Sequence, residues 1–242
     1  MTLIRTIAIT KRIIRQILRD HRSLAMIFVA PLIVMSLVGA SFNKNSQLLN
    51  FVAPALICTF VLFFTFILTG ISFLRERAQG TLDRLLTTPV SSADIMLGYS
   101  SSFFLFAFIQ SNIILFFTIF VLDISYQGQI WNMFFVVILM AIVAVNLGVF
   151  ISTFAKNEFQ VIQFIPVLIV PQIFLSGVIQ PIENLPELLQ KVSKVFPLTY
   201  AVEGLRSIMI DGSNLSEIST QILALFVFAI LFVTLATLTI KR

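Results

Sequence analysis

Charge is what this sequence has least of. Asp, Glu, Lys and Arg together make up 11% of the chain, against 58% hydrophobic residues and a mean hydropathy of +1.03. That balance leaves too little polar surface to cover a soluble globule of 242 residues, so the chain reads as an integral membrane protein. A single cysteine, Cys58, excludes a disulfide or thiolate metal framework within one chain, and a single histidine, His21, excludes a histidine-based metal cluster. There is no P-loop of the Gly-x-x-x-x-Gly-Lys-Ser/Thr type, no His-Glu-x-x-His and no Gly-x-Ser-x-Gly. The residues therefore offer neither a site for nucleotide hydrolysis nor a shielded nucleophile. No cleavable signal peptide is evident, because the first twenty residues alternate basic and aliphatic side chains.

What the chain does have is six apolar runs, at about 23–42, 51–74, 97–122, 131–154, 160–179 and 218–240, each near the twenty residues a helix needs to cross hydrocarbon. None contains Asp, Glu, Lys, Arg or His. The net charge of +5 sits at the ends of these runs, which points to lipid headgroups and not to nucleic acid. With the N-terminus cytoplasmic, the inside carries twelve basic residues: Arg5, Lys11, Arg12, Arg15, Arg19, Arg22, Arg75, Arg77, Arg84, Lys156, Lys241 and Arg242. Four remain outside: Lys44, Lys191, Lys194 and Arg206. The asymmetry predicts a multi-pass plasma-membrane protein with both termini in the cytoplasm. The expected architecture is all-α, a single transmembrane domain over residues 1–242.

Residues 1–22 place Ile4, Ile7, Ile14, Ile17 and Leu18 on one helical face and Arg5, Arg12, Arg15 and Arg19 on another, as an interfacial amphipathic helix does. The loop 75–96 is charged and must lie outside the bilayer, since each ionised side chain at the bilayer centre costs roughly 2.5–3.5 kcal/mol. Within it Gly80 breaks the preceding helix, Thr81 is placed to act as N-cap, Asp83 falls in the first turn and Pro89 closes the segment. The result is a helix of about two turns with Leu82, Leu85 and Leu86 in one apolar stripe. A helix so short does not persist alone in water. It must pack on headgroups, on its own neighbours or on a partner, and the residues leave that choice open.

Ser91 and Asp94 form a capping box that starts the third span. Gly148 and Ser152 make a small-xxx-small pair in the fourth, and Pro166 and Pro171 interrupt the fifth. Gln110, Asn112, Asn146, Gln163 and Gln172 are the amides deep enough to line a cavity or to bond between helices. The long segment 180–217 reads as two short helices dipping into the interface. Asn184 caps the first, with Pro186 in its first turn, and the second runs from Leu198 to Asp211-Gly212. Glu203 and Arg206 stand three apart on it, a spacing that lets them pair.

The run Arg75-Glu76-Arg77-x-x-Gly80-Thr81-Leu82-Asp83-Arg84-Leu85-Leu86-Thr87-Thr88-Pro89 resembles the cytoplasmic signature of the type-2 ATP-binding cassette (ABC) transporter permeases. Ser176-Gly177, Pro181, Leu185-Pro186 and the stretch from Pro197 to Arg206 are similar to the last outside segment of the same family. The resemblance implies a coupling helix, carried by Arg75, Glu76, Arg77, Gly80, Thr81, Leu82, Asp83, Arg84, Leu85, Leu86 and Pro89, that docks in a cleft of an ATPase subunit. It also implies a re-entrant outer hairpin whose gate includes Pro197, Tyr200, Glu203 and Arg206. Two ATPase subunits and a second permease, identical or paralogous, are the implied partners. ATP and Mg belong to the ATPase, leaving this chain without a cofactor. The family often has Gly-Lys where this chain has Gly98-Tyr99, which removes any role of a lysine there and leaves Tyr99 as an interfacial anchor. The expected function is export of a hydrophobic or amphipathic compound such as a drug, antibiotic or lipid. A secondary transporter or channel, and a structural membrane protein, are the alternatives; the absence of ionisable residues from the runs counts against the first pair.

Overall fold

In hydrocarbon every backbone N–H and C=O must bond within its own segment, so long runs without charge become helices. The computed structural model describes residues 3–42 and 46–240, and among these it contains no strand. The helices are α1 (Leu3–Arg19), α2 (His21–Phe42), α3 (Ser46–Ala78), α4 (Thr81–Leu86), α5 (Ser92–Phe120), α6 (Ile130–Ser152), α7 (Glu158–Leu175), α8 (Glu187–Ser193), α9 (Pro197–Asp211) and α10 (Ser219–Ile240), with a 3-10 turn at Ile182–Asn184. Six of them, α2, α3, α5, α6, α7 and α10, are long and apolar enough to cross a membrane. Lys44, Lys241 and Arg242, which enter the basic count, lie outside the described residues.

The bundle is built around α6. Its hydrophobic stretch is 72% buried, against 17% for those of α2, α7 and α10, which turn apolar side chains such as Ile33, Val167 and Ile230 outward. Helix α6 packs on α3, α5, α9 and α10. The approach to α3 is set by Gly148: a Cβ there would stand 1.9 Å from Thr69 Oγ1 and 3.1 Å from the Phe66 carbonyl oxygen. The expected small-residue contact is thus present at Gly148, with Ser152 also buried one turn on.

Helix α1 lies against α5, but not on the face that spacing suggested. Ile9, Ile13 and Ile17 are buried, whereas Ile4, Ile7 and Leu18 are exposed and Ile14 is half-buried. The buried residues follow an i, i+4 ridge that fits the groove at Gly98, where a Cβ would come within 2.7 Å of the Ile9 side chain. Arg12 belongs to this inward side.

Helix α3 runs on to Ala78, so Arg75, Glu76 and Arg77 occupy its last turns and not a separate loop. Gly80, at φ 67°, takes the cap position of α4, and Thr81 is already helical without a side-chain cap bond. A left-handed residue at the break leaves no room for the expected Thr81 cap. The capping box of α5 forms as expected: Asp94 N–H donates to Ser91 Oγ at 3.1 Å and Ser91 N–H to Asp94 Oδ2 at 3.4 Å.

Two ends of the bundle result. At one, called the charged end, meet α1, α4, the last turns of α3 and α6 and the starts of α5 and α7. At the other lie α8, α9 and the α5–α6 loop. That loop is tied to its surroundings by Ser125 N–H on Asn50 Oδ1 (3.3 Å) and Gln127 N–H on the Met209 carbonyl (2.9 Å). Asn184 does not cap α8; Pro186 holds that position, and Gln190 Nε2 instead donates to the Leu185 carbonyl at 2.8 Å. Helix α9 starts at Pro197 and ends on Gly212 in the left-handed conformation, as the sequence indicated.

Candidate functional site

Successive helical residues point about 100° apart, so Arg75, Glu76 and Arg77 reach three different neighbours. Arg75 bridges two elements: its Nε donates to Glu158 Oε1 of α7 at 2.7 Å, and its Nη1 to Asp20 Oδ2, at the α1–α2 elbow, at 3.0 Å. These groups are about two-fifths exposed, so each pair contributes on the order of 0.2–1 kcal/mol. Arg77 Nη1 donates to the Ser152 carbonyl at 2.7 Å, meeting an end carbonyl of α6 with a cation.

Glu76 is the buried member, only 2% exposed. Its Oε2 accepts from Arg12 Nη2 at 2.5 Å and from the Tyr99 hydroxyl at 2.6 Å, and Arg12 Nη2 is also 2.8 Å from the Tyr99 oxygen. Tyr99 is fully buried, edge-on to Phe73 with ring centroids 5.1 Å apart. It is therefore not the interfacial anchor expected of it. A hydroxyl meets the carboxylate here, and the positive charge comes from α1. The triad joins α1, α3 and α5 at one point. The spacing of α1 assigns Arg12 to lipid, since a polar residue on an amphipathic helix gives no sign of an acid 64 positions away.

Beside this junction α4 stands out from the bundle. Leu82 is buried, Leu85 half-buried and Leu86 40% exposed, so the expected stripe is divided: one leucine anchors the helix and another is presented outward. Asp83 and Arg84 are exposed. Arg5 Nη1 donates to the Pro89 carbonyl and pins the far side of the α4–α5 turn. Between α4, the α6–α7 connection and the end of α10 lies a cavity of about 540 Å³, lined by Arg77, Leu82, Asp83, Leu86, Lys156 and Thr239 among others. Lys156 and Thr239 were not singled out from the sequence; only the fold brings them to α4.

Residues 5–210 match the family described as ABC-2 type transporter. The chain belongs to that family. Among curated proteins this ABC-2 chain is 28% identical over 186 residues to the probable multidrug ABC transporter permease YbhR of Escherichia coli K12, covering 77% of this chain and 50% of that protein. It is 26% identical over 202 residues to ABC transporter G family member 20 of Dictyostelium discoideum, covering 83% of this chain and 28% of that one. The linearmycin resistance permease protein LnrN of Bacillus subtilis 168 is 29% identical over 147 residues, 61% of this chain and 38% of LnrN. The chain thus spans half of YbhR and little more than a quarter of the Dictyostelium protein.

At the opposite end of the ABC-2 chain, α9 buries Leu198, Val202, Leu205 and Met209 against its neighbours. Arg206 Nη2 donates to the Gly177 carbonyl at 2.7 Å, and its guanidinium lies 4.3 Å from the centre of the Phe51 ring. Glu203 is half-buried on the same helix. The expected Glu203–Arg206 ion pair is absent from the ion pairs among the described residues; the Gly177 carbonyl and the Phe51 ring hold the Arg206 guanidinium instead. Burial raises the Glu203 carboxyl and lowers the Arg206 guanidinium relative to their ordinary values. Tyr200 donates to the Lys194 carbonyl at 3.0 Å, tying α9 to the end of α8, and Pro197 is buried at the first turn. Arg206→Ala is expected to lower stability by about 2–4 kcal/mol, the sum of one charged hydrogen bond and a partly desolvated cation–π contact. Arg206→Lys should recover less than half of that, because an ammonium lacks the planar face. The thermal midpoint of the purified chain reads both, and Glu203→Ala should move it less than Arg206→Ala.

The five amides are not brought together. Asn146 accepts from Ser100 Oγ at 3.0 Å, an α5–α6 bond, and donates to the Ile142 carbonyl at 2.8 Å. Asn112 and Gln172 donate to carbonyls one turn back on their own helices, and Gln163 is exposed. Gln110 is fully buried, with no partner for either side-chain polar atom.

Proposed function

We propose that this chain is the membrane subunit of an ABC exporter, moving a hydrophobic or amphipathic compound out of the cytoplasm with energy from a separate ATPase. The observation that carries the reading is α4: in an ABC-2 chain, a six-residue helix presents Asp83, Arg84 and Leu86 beyond the end of the bundle, beside an open cavity. An isolated helix of that length is not stable, and only Leu82 and the half-buried Leu85 give it apolar contact with the bundle. A protein cleft that covers Leu86 completes its burial. The basic asymmetry supports a cytoplasmic position for α4, on the side where ATP is. The names of YbhR, a probable multidrug permease, and LnrN, a linearmycin resistance permease, support a drug-like or antibiotic cargo.

On this reading two ATPase subunits dock on two permeases, and displacement of α4 travels through Leu82 and the break at Gly80 into α3. There Glu76 and Arg77 pass it to α1, α5 and α6 through the bonds described above. The outer end is closed by α9, with Pro197, Tyr200, Glu203 and Arg206 setting its seat. ATP and Mg stay with the ATPase.

Leu86→Asp tests this. It places a charge where the partner's apolar cleft is expected, at a position exposed enough to leave the fold intact; burying an unpaired charge typically costs several kcal/mol. Co-purification of the ATPase and transport by reconstituted vesicles should fall roughly tenfold or more, while membrane insertion and thermal midpoint stay unchanged. Unaltered co-purification and transport would remove α4 from coupling.

A further inference from the structure

A second cavity, of about 300 Å³, lies away from α4, between α1, α2, α3 and α5. Its walls are apolar, with Ile17, Ile27, Ala30, Phe64 and Leu68 among them, and one end is polar, where Gln16, Asp20, Arg75 and Glu76 converge. A volume of that order is at the small end of ligand pockets, enough for one short apolar body with a single polar head. Met26 of α2 lines it and is 71% exposed, so the cavity opens sideways onto the surface that faces lipid.

The polar end is incomplete. Glu76 is 2% exposed, yet its Oε1 has no hydrogen-bond partner. Both donors to this carboxylate, Arg12 and Tyr99, go to Oε2, and neither lines the cavity. Oε1 is therefore the acceptor left unpaired at the polar end of the cavity. A buried carboxylate oxygen without a donor is costly, and a charged donor is the partner that offsets it best.

We propose that this cavity binds a cationic amphiphile, its protonated amine on Glu76 Oε1 and its apolar body between α2 and α3. The site lies within one chain and does not depend on export or on any ATPase. Two sources share this chemistry: a bilayer lipid with an ammonium headgroup, and a free hydrophobic amine.

Dodecylamine is the probe, with dodecanol and dodecyl sulfate as neutral and anionic counterparts, and binding to the full chain in phosphatidylcholine nanodiscs is read by native mass spectrometry. Dodecylamine should bind one per chain, roughly tenfold or more tighter than dodecanol, the difference expected of a charge-assisted bond. Glu76→Gln should erase that preference. Because Glu76 also holds Arg12 and Tyr99, a second variant is needed: Ala30→Phe fills the apolar wall without touching the triad and should abolish binding of the amine. Competition by phosphatidylethanolamine added to the nanodisc would assign the site to lipid, and its failure to compete would assign it to free amines. Equal binding of dodecylamine and dodecanol, or amine binding undiminished by Ala30→Phe, would overturn the proposal.

Discussion

Arg12→Ala should cost about 3 kcal/mol, the lower end of the range for removing one member of a buried ion pair. Glu76 is 2% exposed while the Arg12 side chain is 36% exposed, so truncating the arginine strands the acid more severely than the reverse change strands the base. Tyr99 alone would remain on the carboxylate. A loss of that size lowers the thermal midpoint by roughly 6–12 °C for a chain of this length. The double change Arg12→Ala with Glu76→Ala should be milder than Arg12→Ala alone, since no charge is then left buried. Tyr99→Phe, which removes one donor and keeps the ring against Phe73, should cost about 1 kcal/mol. A midpoint for Arg12→Ala within a degree or two of wild type would show that α1 is seated by its isoleucines only.

Gly148→Val should be comparably damaging, at about 3 kcal/mol, with Gly148→Ala near 2 kcal/mol. Replacing Gly in a helix gains about 1 kcal/mol of intrinsic propensity, but the clash outweighs it. Rotating Thr69 removes the 1.9 Å contact with Oγ1 at the expense of its bond to the Thr65 carbonyl (2.8 Å), and still leaves the added Cβ 3.1 Å from both Thr69 Cβ and the Phe66 carbonyl. Relief therefore requires α3 and α6 to separate. Thr69→Ala should restore part of the loss in Gly148→Ala and little in Gly148→Val. If Gly148→Ala keeps the wild-type midpoint, the two helices are not held at their observed distance.

The six spans were legible because membrane helices announce themselves by length and by the exclusion of charge, and the ends of α5 and α9 because Ser91, Asp94, Pro197 and Gly212 act within a single turn. What failed was long-range. An arginine on an amphipathic helix looks the same whether it meets lipid or Glu76, and only the packing of α1 on Gly98 turns Arg12 inward. The spacing of Glu203 and Arg206 permits a pair, but nothing local reveals that Gly177 and Phe51 hold the arginine elsewhere. The family resemblance assigns Arg75, Glu76 and Arg77 to the coupling segment together with α4. In the fold all three are spent on the chain's own junctions, and the residues left facing outward are Asp83, Arg84 and Leu86.

The contact at Gly148 also divides α3 mechanically. Beyond Pro54 the helix continues without another proline to Ala78, a rod of about 36 Å at 1.5 Å rise per residue. Thr69, where α6 presses closest, lies about 14 Å from the charged tip and about 22 Å from Pro54. That makes Thr69 a fulcrum with unequal arms. A tilt of α3 about it moves the Pro54 end roughly one and a half times as far as the Ala78 end, in the opposite direction. A small displacement of the Ala78 end would therefore arrive enlarged and reversed near Phe51, the ring on which Arg206 rests.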